Sequence, residues 1–249
     1  MGPRILVVQN AEWEDAGLMG VAARAAGIAQ STAKLFPGRG GMRSVPLEEL
    51  EGGAFAAVVS LGSPSTAYLP ETNPHHDEMV ALFKLVRKLK IPSFNVCYSM
   101  QLFSLVHGGR VEKNPNGKEV GFEVVELTKE GAADPVFGGV GSFTTLQWHG
   151  DCVTALPGKA VRLGYSEKTR NQLAVLDGIH YLLQGDGQAA TPSTLRTWLR
   201  VDRKWALQGT SASEKDMMRR VTEYGSYFRN TYLRLAGNFL SLALPAPED

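Results

Sequence analysis

Only two cysteines, Cys97 and Cys152, stand in 249 residues, far apart in the chain. That scarcity excludes a disulfide framework, and no pair of the five histidines has zinc spacing, so no metal is expected. Charge of one sign is also lacking: the formal net charge is +1, which gives no electrostatic reason to expect nucleic acid or an anionic membrane as partner. The basic cluster Lys84, Arg87, Lys88 and Lys90 alternates with Leu82, Phe83, Leu85, Val86 and Leu89 and reads as the solvated side of an amphipathic helix. Long apolar runs are missing too. Residues 5–8 are too few for the core of a signal peptide, and no window approaches a membrane span, which leads to the expectation of a cytoplasmic protein. Nothing reads as a linker between two cores.

What the chain does contain is an alternation of short apolar β-runs and helical stretches. Residues 5–8, 32–35, 57–61 and 93–96 read as strands, and residues 77–90 carry Met79, Leu82, Phe83, Val86 and Leu89 at helical spacing. This rhythm predicts a doubly wound sheet whose ligand crevice lies beyond the strand carboxyl ends, at Asn10, Gly62 and Cys97. After Gly109 the pattern changes to short strands at 119–127, 142–147, 160–165, 172–176 and 179–184, separated by turn residues such as Asp177-Gly178. From Thr191-Pro192 onward it is helical again, with Thr191 as cap and Pro192 in the first turn. Leu195, Trp198 and Leu199 form one core stripe; Val221, Tyr224, Phe228, Tyr232, Leu235 and Phe239 form another. The tail Pro245-Ala246-Pro247-Glu248-Asp249 should fray.

Cys97 sits where the β-run Pro92-Ser93-Phe94-Asn95-Val96 meets the apolar helical run 100–106. A sulfur at a helix N-terminus is placed where free backbone N–H groups stabilise a thiolate, which points to a nucleophile. The alternative is a buried structural cysteine, a common fate of free thiols. Cys152 has no such context and reads as a core or loop residue. His75 and His76, after Asn73-Pro74, read as surface residues at a helix start.

The run Asn95-Val96-Cys97-Tyr98-Ser99-Met100-Gln101 resembles the nucleophile elbow of class I glutamine amidotransferases of the GMP-synthase glutaminase type. Leu61-Gly62-Ser63-Pro64 is similar to that family's Gly-Gly-Pro loop, and Gln147-Trp148-His149-Gly150-Asp151 to a motif that holds the glutamine substrate. The stretch from Arg110 to Phe122 is similar to the segment leaving the elbow helix. The resemblance implies Cys97 as nucleophile and the backbone N–H groups of Ser63 and Tyr98 as oxyanion donors. It implies substrate contacts at Gly62, Gln101, Gln147, Trp148 and His149, and it implies no cofactor. The expected fold is flavodoxin-like: a doubly wound, mostly parallel sheet with added β-hairpins. Residues 1–190 would form the amidotransferase-like domain and 191–249 a helical extension packed on it.

Two family features are altered. Glycines that flank the elbow cysteine are replaced by Asn95 and Ser99, whose side chains should crowd a turn of strained dihedrals. Where the family ends a strand in Gln-Phe-His-Pro-Glu, this chain reads Gln184-Gly185-Asp186-Gly187-Gln188. Asp186 thus stands in place of the general base and Gln188 in place of its orienting carboxylate, and Asp186 should raise the Cys97 pKa. His180 lies at the far end of the strand, while His149 is a candidate substitute base. Three readings follow. The first is a Cys97-dependent enzyme acting on an amide or acyl substrate other than glutamine, or a member of a biosynthetic assembly, with glutaminase activity lost or very weak. The second is an inactive metabolite-binding or scaffold subunit, and the third is a glutaminase using His149 or another base. No synthetase domain is recognisable, so a separate synthetase or biosynthetic partner protein would have to receive any ammonia.

Overall fold

The computed structural model describes residues 3–36 and 43–244; the tail 245–249, expected to fray, lies outside the described residues. Toward one edge of its main sheet β1 (Arg4–Gln9) pairs in parallel with β2 (Ala29–Lys34) on one side and with β3 (Ala57–Ser60) on the other. β3 pairs in parallel with β4 (Ser93–Val96), and β4 with β11 (His180–Leu183). Both faces of β3, β4 and β11 are covered, so every residue in them is buried and they read as short apolar runs. β2 is an edge strand with sequence AQSTAK. Its polarity hid its start, placed three residues too late by the apolar pattern.

Beyond β11 the sheet continues antiparallel through β10 (Leu173–Leu176), β9 (Val161–Tyr165), β6 (Glu119–Leu127) and β7 (Phe143–His149), giving the order β2-β1-β3-β4-β11-β10-β9-β6-β7. Asp177 and Gly178 between β10 and β11 have φ of 54° and 75°, the paired left-handed conformation of a tight hairpin turn. A two-stranded ribbon of β5 (Arg110–Lys113) and β8 (Asp151–Ala155) lies apart from the main sheet. It went unforeseen because β5 buries only Val111 of its four residues.

Helices cover both faces. On one, α1 (Gly17–Ala25) and α8 (Gly225–Ala243) bring Leu18, Met19, Tyr232, Leu235 and Phe239 against Ile5, Val7 and Phe94. On the other, α3 (His76–Lys88) and α4 (Tyr98–Val106) pack Met79, Leu82, Phe83 and Phe103 on Leu6, Val8, Val58 and Leu182. The short α2 (Leu47–Glu51) and α5 (Lys129–Ala133) fill connections. α6 (Pro192–Leu207) and α7 (Glu214–Glu223) close a third apolar cluster over β6 and β7, in which Leu195, Trp198 and Leu199 meet Val120, Leu146 and Trp148. The α6 cap is as the sequence reads: Thr191 Oγ1 accepts the Thr194 N–H at 3.2 Å and Pro192 opens the helix. The second stripe, however, is broken. Tyr224 falls between α7 and α8 and is 52% exposed, because the chain reorients there and only Val221 and the later members face the core. Among the described residues, no helix is long and apolar enough to cross a membrane.

Candidate active site

Cys97 occupies the turn from β4 into α4 with φ 51° and ψ −111°. A non-glycine residue held there costs on the order of 1–3 kcal/mol, and the surroundings fix it. The Cys97 N–H bonds Leu183 O at 2.7 Å, and its carbonyl accepts the Gln101 N–H at 3.0 Å. The side chains expected to crowd this turn are instead bonded. Asn95 Nδ2 donates to Ser93 Oγ (2.9 Å) and Tyr181 O (3.1 Å), and Ser99 Oγ donates to Leu61 O (2.6 Å), which Asn10 Nδ2 also reaches at 2.8 Å. They stitch the elbow to the neighbouring strands. Asn95→Gly and Ser99→Gly should therefore each lower stability, by about 1–3 kcal/mol, with no gain in Cys97 reactivity; urea unfolding and thiol titration would check this.

A crevice of about 570 Å³ opens over the elbow, lined by Ser63, Tyr98, Gln101, Trp148, His149 and Trp205 among others. Gln101 Nε2 donates to Asp151 O at 3.0 Å and to Gln184 Oε1 at 3.2 Å. Three residues expected at the ligand do not line it, among them Gly62, which the Glu14 carboxyl covers. Asn10 lies beneath, holding Leu61, and the fully buried Gln147 donates to Gln172 Oε1 at 3.1 Å within a polar network behind the crevice.

Beside the sulfur stand Asp186 and Gln188. The Asp186 carboxyl bears on the thiol, and Gln188 Nε2 donates to Asp186 Oδ1 at 3.3 Å. The Gln184 amide donates toward Sγ at 3.7 Å. His180 sits at the opposite end of β11, buried against Ser93 Oγ at 3.0 Å, with burial lowering its pKa to about 4. His149 does line the crevice, but its Nδ1 is 2.9 Å from Asp151 O and its Nε2 lies 3.0 Å from Glu119 Oε2, though off the ideal hydrogen-bond direction. Both ring nitrogens thus face oxygens of the crevice wall, at Asp151 and Glu119. Burial works against the Glu119 charge, but His149, Ser166 and Thr169 outweigh it and hold the carboxyl below its ordinary pKa.

One crevice residue has no counterpart in the motif reading. Glu14, between β1 and α1, reaches across to Gly62, where a Cβ would collide with its Oε2. That oxygen is buried and has no hydrogen-bond partner. Burial first, then the charges of Asp186 and Asp202, push the Glu14 pKa well above the ordinary value. Burial also raises Asp186 to about 7, against the opposing hydrogen bonds from Gln188 and Cys97. Cys97 in turn is pushed well above a free thiol's pKa by burial, Asp186 and Glu14, with only the Tyr98 N–H acting strongly the other way. The sulfur of the unliganded protein is thus a thiol at neutral pH, despite its helix N-terminus.

Acids whose pKa is raised by folding make stability depend on pH in a definite direction. Below about pH 4 both folded and unfolded chains hold the Asp186 proton; between there and about pH 7 only the folded chain does, and the upward-shifted Glu14 acts in the same direction. The contribution of Glu14 and Asp186 to stability therefore falls as pH rises through that window. Against a Glu14→Gln, Asp186→Asn double variant, the wild-type urea midpoint should lose ground steadily between pH 5 and about pH 7. A constant difference would contradict the assignment.

The family model of class-I glutamine amidotransferases matches residues 50–177, which is just over half of the chain. The chain belongs to that family. A GMP synthase (glutamine-hydrolyzing) from Phenylobacterium zucineum is 34% identical over 103 residues, 41% of this chain and 18% of that protein. The corresponding enzyme from Christiangramia forsetii is 32% identical over 133 residues, 53% of this chain and 24% of that protein. The chain thus spans less than a quarter of the length of either relative. The fold is that of a glutamine amidotransferase structure from Thermotoga maritima, with a TM-score of 0.80 at 24% identity over 99% of this chain and all of that one. In this amidotransferase fold the sheet, its mostly parallel half and the C-terminal helices are as the resemblance implies.

Proposed function

We propose that this amidotransferase-family chain acts through Cys97 on a small amide or acyl substrate other than glutamine, with glutamine hydrolysis lost or nearly lost. The observation that carries the reading is that a buried carboxyl, Asp186, and not an imidazole, is the ionisable group that bears most strongly on the thiol. Cys97 would be the nucleophile, with the Ser63 and Tyr98 N–H groups receiving the oxyanion. Asp186, with a pKa near the working pH, would accept the thiol proton, and Gln188 would orient it. The strained φ kept at Cys97 supports a retained role for the sulfur. Because the relatives carry "synthase" in their names and are more than four times as long as the matched segment, we propose that a separate biosynthetic partner receives the product.

A second reading, a metabolite-binding or scaffold subunit without turnover, is favoured by the upward shift of the Cys97 pKa. Two measurements separate the alternatives. Ammonia release from glutamine should be near background; a turnover on the order of 1–10³ s⁻¹ would overturn the proposal. After exposure to a cell extract, wild type but not Cys97→Ala should gain a covalent mass by intact-protein mass spectrometry. A ligand retained without covalent mass would establish the second reading.

A further inference from the structure

We propose that the crevice selects an amide whose acyl part carries a flat aromatic ring, with the ring laid against Trp148 and Trp205 while the amide carbonyl reaches Cys97. This names the substrate class of the preceding reading and rests on that reading.

Trp205 is the residue that carries the argument. It belongs to α6, where Trp198, Asp202 and Trp205 are four and then three residues apart and share one helix face. Trp198 buries its ring in the core, whereas Trp205, about two turns further on, lines the crevice and is 36% exposed. The exposed indole is nevertheless held in place. Lys118 Nζ donates to Trp205 O at 2.7 Å and to Gln208 O at 3.2 Å, and it stands 4.5 Å from the centroid of the Trp205 ring. A cation bonded to the last carbonyls of a helix is favourably placed, so the end of α6 and the ring it carries are fixed together. The ring edge rests beside Gly150, its Cζ2 3.5 Å from where a Cβ would stand.

Trp148 adds a second indole to the same crevice. The two ring centroids are 6.4 Å apart and the planes are inclined by 39°. An accessible aromatic surface that is held rigid, in a crevice that also exposes a cysteine, suits a ligand ring, because aromatic contacts favour it beyond the area they bury. Charge gives no competing preference. Lys113 and Lys118 are matched on the lining by Asp151 and Asp202, Glu14 is turned onto Gly62, and His149 is engaged by Asp151 O and Glu119. The volume of about 570 Å³ accommodates a ring together with its amide. Glutamine would have to lay its ammonium and carboxylate groups along the indoles, which is a reason apart from Asp186 for its poor use.

The test is direct binding to the full chain by calorimetry, with indole fluorescence as a second readout. The probes are benzamide and phenylacetamide, each against its saturated-ring counterpart, cyclohexanecarboxamide and cyclohexylacetamide. Butyramide and the zwitterion L-glutamine are the comparators. The aromatic amides should bind at millimolar concentration or below, about 10-fold more tightly than the saturated rings, and should change the indole emission. Trp205→Ala should weaken aromatic-amide binding about 10-fold or more. Trp205→Leu, which keeps apolar bulk without the ring, should abolish the preference for aromatic over saturated rings, and Trp205→Phe should retain most of it. Because Trp205 is exposed, all three should unfold in urea close to the wild-type midpoint. Tyr224→Ala, which removes an exposed aromatic between α7 and α8, should leave binding unchanged. Binding of no aromatic amide, equal binding of the saturated rings, or undiminished binding by both Trp205→Ala and Trp205→Leu would overturn the inference. If that happened while Cys97 still gained a covalent mass in extract, the enzyme reading would stand with another substrate. Ring-selective binding without that mass would uphold the aromatic wall and assign the site to the metabolite-binding reading.

Discussion

Asp186→His combined with Gln188→Glu should give this chain measurable ammonia release from glutamine where the wild type shows none. The two side chains are already coupled beside the sulfur: the Asp186 carboxyl bears on the thiol, and Gln188 Nε2 donates to Asp186 Oδ1 at 3.3 Å. An imidazole at 186 would supply a base that titrates near neutrality, and a carboxylate at 188 would fix its orientation. Such a group is typically worth about 10²–10⁴ in rate. The result should remain a poor glutaminase while Glu14 stands against Gly62, and Glu14→Ala should improve it further. Glycine at positions 95 and 99 should not help, because Asn95 and Ser99 are bonded into the elbow. Steady-state ammonia release and trapping of a Cys97 thioester decide the matter. A folded variant that binds a glutamine analogue and forms no thioester would show that residue 186 is not placed to act on the sulfur.

Trp198→Ala should be the most damaging single change on α6. Trp198 is 2% exposed, packs edge-on to Trp148 at 5.5 Å between ring centroids, and donates Nε1–H to Trp13 O at 3.0 Å. Truncating a buried tryptophan costs about 3–5 kcal/mol, and urea unfolding would measure it. The damage should reach the crevice as well, since Trp13 precedes Glu14 and the lost bond anchors that loop. Ligand affinity should fall even where the variant remains folded. Trp198→Phe keeps the packing but not the bond, and should lose affinity with a much smaller loss of stability.

The parallel half of the fold was legible because its strands are buried on both faces, so that runs such as Leu6-Val7-Val8 stand out at once. Cys97 was equally plain, at the junction of an apolar strand and an apolar helix. What escaped had weak periodicity or depended on distant partners. β5 buries one residue in four, and Tyr224 fits a helical stripe that the chain breaks at that residue. Glu14 lies in a short loop with no pattern around it. Its importance arises only where β1, the Gly62 loop and Asp186 converge in space. Asn95 and Ser99 looked like obstructions because their hydrogen-bond acceptors, on β11 and after β3, are remote in sequence.

The position of α8 has a consequence for how the chain folds. Its Tyr232, Leu235 and Phe239 cover the same apolar surface as Ile5, Val7 and Phe94, with the Phe94 and Phe239 rings 5.1 Å apart. α1 covers only part of this surface, so the rest of it stays exposed during synthesis until α8 has left the ribosome. Contacts between such distant segments slow folding and leave sticky intermediates waiting. A fragment ending near residue 190 would carry the whole elbow and still expose that face, so it should aggregate rather than fold as a smaller amidotransferase domain.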